Sequence, residues 1–218
     1  MEKVQALRQY LDTHRVKLVA VSKTKSLAEI RQVYANGQRI FGENRARELA
    51  EKQPGLPGDI EWHMIGHLQT NKVKYIAPFV AMIQSVDSLK LLDRIELDAG
   101  RAGRTIDVLL QVKIAREESK YGFELDTLPE RIGQLTGGRR HVNVRGLMGM
   151  ASFVDDEDVI RSEFRALKQL FDTLRSDHLA RKQDFDTLSM GMSGDYRIAV
   201  EEGSTMVRIG SLIFGPRT

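Results

Sequence analysis

Short apolar segments alternate with amphipathic segments along almost the whole chain. Segments of four to eight residues that are rich in Val, Ile, Leu and Phe are typical of buried strands. Strands that alternate with helices form parallel sheets covered by helices. Eight such segments therefore predict an α/β fold, a closed (β/α)8 barrel preceded by an extra N-terminal helix. The predicted strands are residues 17–23, 39–42, 60–66, 80–84, 107–113, 142–148, 185–190 and 206–209.

A doubly wound open sheet is the alternative architecture. Such a sheet usually binds nucleotide through a Gly-rich turn after its first strand. Here that turn reads Ser-Lys-Thr-Lys at residues 22–25 and contains no glycine. The closed barrel is therefore preferred. No Pro-, Gly- or Ser-rich linker interrupts the chain, so we expect residues 1–218 to form one domain.

Composition limits the classes of ligand and the compartment. The 33 basic and 30 acidic side chains leave a formal charge of +3 and alternate along the chain, so we expect no nucleic-acid partner. No cysteine is present, which excludes disulfides, zinc–thiolate sites and a thiol nucleophile. The charged N-terminus is unlike a signal peptide, and the longest apolar stretch is too short for a membrane span. We expect a monomeric, cytoplasmic protein that does not contact a membrane.

Polar residues follow the predicted strands at the ends that a parallel barrel places on one face. Lys23 ends the first strand, Asn44 follows the second, and Arg208 lies near the end of the eighth. The loops after strands seven and eight usually form the phosphate site of such a barrel, because backbone N–H groups point there. In this chain those loops contain Ser193, Gly194, Gly210 and Ser211. Further polar residues at the same ends are Glu43, His67, Ser189 and Asp195.

Lys23 is the candidate reactive residue. An amine at the end of a buried strand can attack a carbonyl once it is deprotonated, although a solvated lysine also explains this short motif. An amine that faces a phosphate site suggests pyridoxal phosphate (PLP) or a sugar phosphate bound by a Schiff-base aldolase. The aldolase would also need a general acid and a general base beside Lys23, and neither is obvious in the sequence.

Five motifs closely resemble those of the pyridoxal phosphate homeostasis protein family, in the same order and over nearly the whole chain. They are LVAVSKTK at 18–25, FGEN at 41–44, WHMIGHLQTNK at 62–72, LSMGMS at 188–193 and VRIG at 207–210. The resemblance implies a barrel of the type found in the N-terminal domain of alanine racemase.

The resemblance also implies a set of roles for individual residues. PLP would be held as a reversible aldimine on Lys23, with Arg208 facing the pyridine nitrogen and Asn44 beside the ring. The phosphate would lie against the two loops after strands seven and eight. The predicted cofactor-binding residues are thus Lys23, Asn44, Ser193, Gly194, Arg208, Gly210 and Ser211. No residue is predicted to be catalytic, and no metal is expected.

The function implied by the resemblance is intracellular vitamin B6 homeostasis. The expected protein holds and releases PLP without appreciable turnover, and the apo-forms of PLP-dependent enzymes are candidate acceptors. A PLP-dependent amino-acid racemase is the first alternative, and an aldolase is the second. Related racemases place the base for the opposite face on a second domain. Here the eighth strand ends shortly before Thr218, so we expect no such domain.

Several other features have simpler explanations. His63 and His67 are four residues apart, but no third ligand with metal-site spacing accompanies them. Trp62 is expected in the core, and a polar helix is expected from Glu43 to Lys52. Met148, Met150, Met190 and Met192 are expected to take part in the packing of the barrel. We expect Lys25, Lys72 and Lys120 to be exposed. The alternative is that they form a second anion-binding surface.

We predict that Lys23, and not Lys25, forms the adduct with PLP. Lys23 ends the buried strand, whereas Lys25 lies two residues into the loop. Borohydride reduction of the protein with bound PLP, followed by peptide mass spectrometry, identifies the labelled residue. A pyridoxyl group found mainly on Lys25 would contradict the prediction.

Overall fold

The computed structural model describes residues 2–116, 121–179 and 182–215. In this part of the chain the strands are β1 (Lys17–Val21), β2 (Ile40–Glu43), β3 (Glu61–Met64), β4 (Met82–Val86), β5 (Ile106–Lys113), β6 (Phe123–Glu124), β7 (Val142–Met148), β8 (Thr187–Ser189) and β9 (Met206–Ile209). All pairings are parallel, and the order β4-β3-β2-β1-β9-β8-β7-β5 is closed by pairing of β4 with β5. The predicted eight-stranded barrel is confirmed, and β6 is a short addition beside β5.

Helices follow the strands and cover the outside of the barrel. They are α1 (Glu2–Thr13), α2 (Leu27–Ala35), α3 (Ala46–Lys52), α4 (Val73–Ile76), α5 (Leu89–Arg101), α6 (Leu128–Thr136), α7 (Glu157–Thr173), α8 (Tyr196–Glu201) and α9 (Ser211–Phe214). Ser26 caps α2, because its hydroxyl accepts from the Glu29 N–H while the Glu29 carboxylate accepts from the Ser26 N–H. None of the described helices is long and apolar enough to cross a membrane.

Apolar side chains pack on both sides of the barrel wall, because successive residues of a strand point to opposite faces. The larger cluster lies between the strands and the helices and includes Trp62, which is buried as expected. A smaller cluster fills part of the barrel interior and consists of Val19, Met82, Leu109, Met148 and Met206. The carboxyl end of the interior is left for polar side chains.

The predicted end of the second strand needs a correction. The polar helix was expected from Glu43, but β2 includes Glu43 and α3 begins at Ala46. Glu43 is fully buried, and its carboxylate accepts from Ser22 Oγ at 2.6 Å and from Lys52 Nζ at 2.9 Å. These two donors allow a carboxylate to lie in a buried strand, which a hydropathy pattern does not anticipate.

Two of the four methionines are not buried in the packing of the barrel. Met148 and Met190 are buried as expected, but the expectation for the other two is wrong, because Met150 is 41% exposed and Met192 is 36% exposed. Both follow the ends of their strands, where the chain has left the barrel wall. Their side chains therefore lie at the carboxyl-end surface of the barrel.

Candidate functional site

A cavity of about 590 Å3 opens at the carboxyl ends of the barrel strands. This volume is typical of a small-ligand site. The walls of the cavity include apolar side chains such as Val21 and Ile65. All seven residues that the sequence predicts to bind a cofactor line this cavity, namely Lys23, Asn44, Ser193, Gly194, Arg208, Gly210 and Ser211. The structure thus brings them together, and their part in binding stays a prediction.

The residue before Lys23 is fixed by buried ionic groups. Ser22 is fully buried and donates from Oγ to Glu43 Oε1 at 2.6 Å. The Ser22 carbonyl accepts from Lys52 Nζ at 2.8 Å, and the same ammonium donates to Glu43 at 2.9 Å. Lys23 itself is half-buried. The end of β1 is therefore tied to both β2 and α3.

Thr24, the residue after Lys23, is held by the carboxylate of Glu48, which also binds the Lys52 ammonium. The Thr24 N–H donates to Glu48 Oε1 at 2.6 Å, and Glu48 accepts from Lys52 Nζ at 2.6 Å. Thr24 has φ of +66°, which a non-glycine residue rarely adopts without support. We call Glu43, Glu48 and Lys52 the flanking cluster, because its members hold the backbone on both sides of Lys23.

The two carboxyl groups of the flanking cluster have opposite pKa shifts. Burial raises the pKa of Glu43, and the hydrogen bonds from Ser22 and Lys52 oppose this rise. Burial would also raise the pKa of Glu48, but the bonds from Lys52 and Thr24 outweigh it and lower the pKa. Glu43 Oε2 makes no hydrogen bond to any described residue, consistent with its weaker stabilisation as an anion.

Arg208 lies on β9 and is only 4% exposed. Its Nη1 donates to the Ser189 carbonyl at 3.0 Å and to Ser189 Oγ at 2.6 Å, and its Nη2 donates to the Gly149 carbonyl at 2.9 Å. Burial lowers the pKa of Arg208 to about 10, and the charge of Asp195 opposes this change. The guanidinium therefore stays protonated at neutral pH and is a permanent donor beside the cavity.

The turn after β8 places small residues at the cavity wall. Gly191 has φ of +99°, a left-handed conformation that favours glycine. The Asp195 carboxylate accepts from the Met192 N–H at 2.5 Å, and the Asp195 N–H donates to the Met192 carbonyl at 3.2 Å. Burial raises the pKa of Asp195, and the Met192 N–H opposes this rise. The residues enclosed by this turn are Ser193 and Gly194.

The segment after β9 completes the wall on the neighbouring side. A Cβ at Gly210 would lie 3.3 Å from the Val21 carbonyl oxygen, so a larger residue would crowd the end of β1. Ser211 begins α9, and the first N–H groups of a helix have no acceptor within the helix. Two serine hydroxyls, backbone N–H groups and nearby cationic side chains form a donor set suited to a phosphate.

Some predicted polar residues lie outside the cavity wall. Glu43 belongs to the flanking cluster, and Ser189 lies beneath Arg208. His67 lies on the surface, with Nδ1 2.9 Å from Asp87 Oδ2. Its ring stacks on Tyr121 at 3.7 Å between centroids.

The three lysines that were expected to be exposed have different environments. Lys25 lines the cavity with a side chain that is 14% exposed, and its ammonium lies 3.1 Å from Glu29, so that expectation is wrong. Lys72 is half-buried. Lys120 lies outside the described residues. No group of three His, Asp or Glu side chains in the described ranges could hold a metal ion.

Sequence reasoning missed Glu48 and Lys52, which act from α3, and Gln84 and His63, which lie inside the barrel. Glu48 and Lys52 could have been found from the sequence, because residues four apart on a helix can form an ion pair. No local signal marks Gln84, because its partners come from distant strands.

The chain is similar to known proteins over nearly its whole length. The family model described as "Alanine racemase, N-terminal domain" matches residues 1–218. A protein of Aquifex aeolicus named pyridoxal phosphate homeostasis protein is 41% identical over 202 residues, which cover 92% of this chain and 87% of that protein.

Two solved structures of PipY from Synechococcus elongatus also resemble the chain. The structure without PLP has a TM-score of 0.91 and 37% identity, and covers 98% of this chain and 99% of that chain. The structure with PLP bound has a TM-score of 0.87 and 36% identity, with the same coverage.

We expect Lys52→Met to lower the free energy of unfolding by about 3 kcal/mol, because two carboxyl groups would lose their shared, buried cation. Urea unfolding followed by circular dichroism measures this change. The control is Lys168→Met, which removes a more exposed pair with Asp172 and should cost less than about 1 kcal/mol. Equal losses in the two variants would show that the flanking cluster contributes no more than a surface ion pair.

Proposed function

The chain belongs to the pyridoxal phosphate homeostasis protein family, and from this premise we infer that it binds pyridoxal 5'-phosphate and takes part in PLP homeostasis. The observation that carries the proposal is a single cavity lined by a lysine amine, a buried arginine and two small-residue loops. These groups match the aldehyde, the ring nitrogen and the phosphate of PLP respectively. Lys23, Arg208 and the loops around Ser193 and Ser211 would hold them.

The cavity fits this ligand in its chemistry and in its space. A Cβ built at Gly194 would meet nothing within 4 Å, so there is room beside the turn that would hold the phosphate. Among the described residues, the cationic side chains at the cavity are those of Lys23, Lys25 and Arg208, and they favour an anionic ligand. Asn44 lies on the same wall and would contact the ring.

PLP, when bound, supplies an aldehyde that bonds reversibly to an amine and a ring that can accept electrons. Lys23 would provide the amine, held by the hydrogen bonds to Ser22 and Thr24 on either side. Arg208 would donate a hydrogen bond at the ring nitrogen. Because a guanidinium does not give up its proton, Arg208 would not protonate that nitrogen. This chain would thus withhold the protonation that strengthens carbanion chemistry, which favours a carrier role.

A PLP-dependent racemase is the second candidate function, favoured by the family model. Racemisation requires an acid–base group on each face of the ring. The ionisable side chains among the described residues of the cavity are Lys23, Lys25, Asp155, Asp195 and Arg208. Lys25 is paired with Glu29, and Asp195 holds the Met192 N–H. Asp155 is exposed at the mouth. These contacts support a protein that holds and releases PLP over an enzyme that turns over an amino acid.

The proposal extends to how the protein acts in the cell. We propose that residues 1–218 act as one PLP-binding domain, as a monomer in the cytoplasm. Apo-forms of PLP-dependent enzymes are the proposed acceptors of the released cofactor.

Binding should depend on the phosphate. A hydrogen bond to a charged group contributes roughly 1.5–3 kcal/mol, so pyridoxal should bind at least about ten-fold more weakly than PLP. Absorbance titration measures both dissociation constants. The double variant Ser193→Ala, Ser211→Ala should weaken PLP binding but leave the affinity for pyridoxal little changed. The two dissociation constants should therefore become more similar. Equal affinities for the two compounds in the unmodified protein would contradict the placement of the phosphate.

The carrier role predicts that amino acids keep their α-proton. We incubate alanine and other amino acids with the PLP-loaded protein in deuterated water. Their α-protons should exchange for deuterium no faster than they do with free PLP. NMR spectroscopy of the amino acid measures the exchange. Steady exchange that depends on the protein and is abolished by Lys23→Ala would favour the racemase.

A further inference from the structure

A row of buried polar side chains crosses the barrel interior beneath the cavity. Arg208 Nη1 donates to Ser189 Oγ at 2.6 Å, and Ser189 Oγ donates to Gln84 Oε1 at 2.7 Å. Gln84 Nε2 lies 2.8 Å from His63 Nδ1. These residues come from β9, β8, β4 and β3, and all are buried. We call Ser189, Gln84 and His63 the interior chain.

The hydrogen bonds of the interior chain run in one direction. A serine hydroxyl has one proton, and Ser189 gives it to Gln84, so its lone pairs face Arg208. The Gln84 amide accepts with oxygen and donates with nitrogen to His63 Nδ1, which places the His63 proton on Nε2. Burial, aided by the charge of Lys17, lowers the pKa of His63 to about 3, so the ring is neutral at neutral pH. The interior chain therefore accepts from Arg208 and carries no charge.

The acceptors around Arg208 leave its charge unneutralised. Its hydrogen bonds go to two backbone carbonyls, of Ser189 and Gly149, and to one hydroxyl. A buried cation is usually paired with a carboxylate. No described carboxylate accepts a hydrogen bond from Arg208, and Asp195 acts on it only through its charge. Of the five N–H groups of a guanidinium, two make no hydrogen bond to described residues, and Arg208 lines the cavity.

We propose that Ser189, Gln84 and His63 are positioning residues, which fix the Arg208 guanidinium and direct its unneutralised charge to an acceptor in the cavity. The proposal rests on the proposed function in one respect, that the acceptor is the ring nitrogen of PLP. A carboxylate in place of the interior chain would hold Arg208 as firmly but would cancel its charge. The neutral chain thus selects for a ligand that offers a lone pair to a strong donor.

The first experiment needs no cofactor. In protein prepared without PLP, 15N NMR should show His63 protonated on Nε2 and the Arg208 side-chain protons exchanging slowly with water. Arg208→Lys assigns the arginine signals. Gln84→Met breaks the interior chain without a large change of volume. Ser189 Oγ then loses the acceptor that turns its lone pairs towards Arg208, so its hydrogen bond from the guanidinium should weaken and the Arg208 protons should exchange about ten-fold faster.

The matched control is Gln111→Met. Gln111 is also a buried glutamine of a barrel strand, but its amide donates to the Tyr121 carbonyl and takes no part in the interior chain. Its replacement should leave the Arg208 exchange rate unchanged. Urea unfolding shows whether each variant is folded, and Ser189→Ala, which removes only the hydroxyl, replaces Gln84→Met if that variant does not fold. A proton on His63 Nδ1, or unchanged exchange in both chain variants, would overturn the proposal.

The second experiment separates positioning from a general structural role. Gln84→Met and Ser189→Ala should each raise the dissociation constant for PLP about ten-fold, and Gln111→Met should not. In an Arg208→Lys background the effect of Gln84→Met should disappear, because the residue acts through the guanidinium. An effect of equal size in both backgrounds would overturn the proposal. Failure of the unmodified protein to bind PLP would instead refute the proposed function. The cofactor-free measurements would still decide whether the interior chain positions Arg208.

Discussion

The buried guanidinium of Arg208 places the strictest demand on the structure. A charge inside a protein is costly unless it is paired or hydrogen-bonded, and here three guanidinium donors are bound by groups at the ends of two neighbouring strands. The carbonyl oxygens of Gly149 and Ser189 are therefore held at the carboxyl ends of β7 and β8. These contacts hold the guanidinium at the wall of the cavity.

The barrel solves the problem of buried polarity in two different ways. Near Lys23 it uses full charges, because one ammonium binds two carboxylates and a backbone carbonyl. Beneath Arg208 it uses neutral groups, because the Ser189 hydroxyl accepts from the guanidinium and donates to the Gln84 amide, which in turn donates to the His63 ring. The first arrangement pairs one cation with two carboxyl groups and holds a strained backbone at Thr24. The second leaves the charge of the arginine available to the cavity.

The sequence predicts the barrel well because strand and helix periodicities are local properties. The residues at the cavity could also be located, since parallel strands must end on one face and Lys23, Ser193 and Arg208 stand at such ends. The two polar networks could not be predicted in the same way. Gln84 and Ser189 are 105 residues apart, and only barrel closure makes them neighbours. Glu43 looked like a helix residue because its stabilising partners, Ser22 and Lys52, are supplied by other elements.

The exposed thioethers of Met150 and Met192 have a chemical consequence for the protein as a reagent. The chain has no cysteine, so methionine sulphur is what an oxidant such as peroxide would attack first. Met148 and Met190 are sheltered by burial, whereas Met150 and Met192 stand at the cavity mouth. Sulfoxide formation at these two positions would make the entrance more polar while leaving the packing of the barrel intact. Oxidative ageing of a preparation would thus change access to the cavity before it changed the fold.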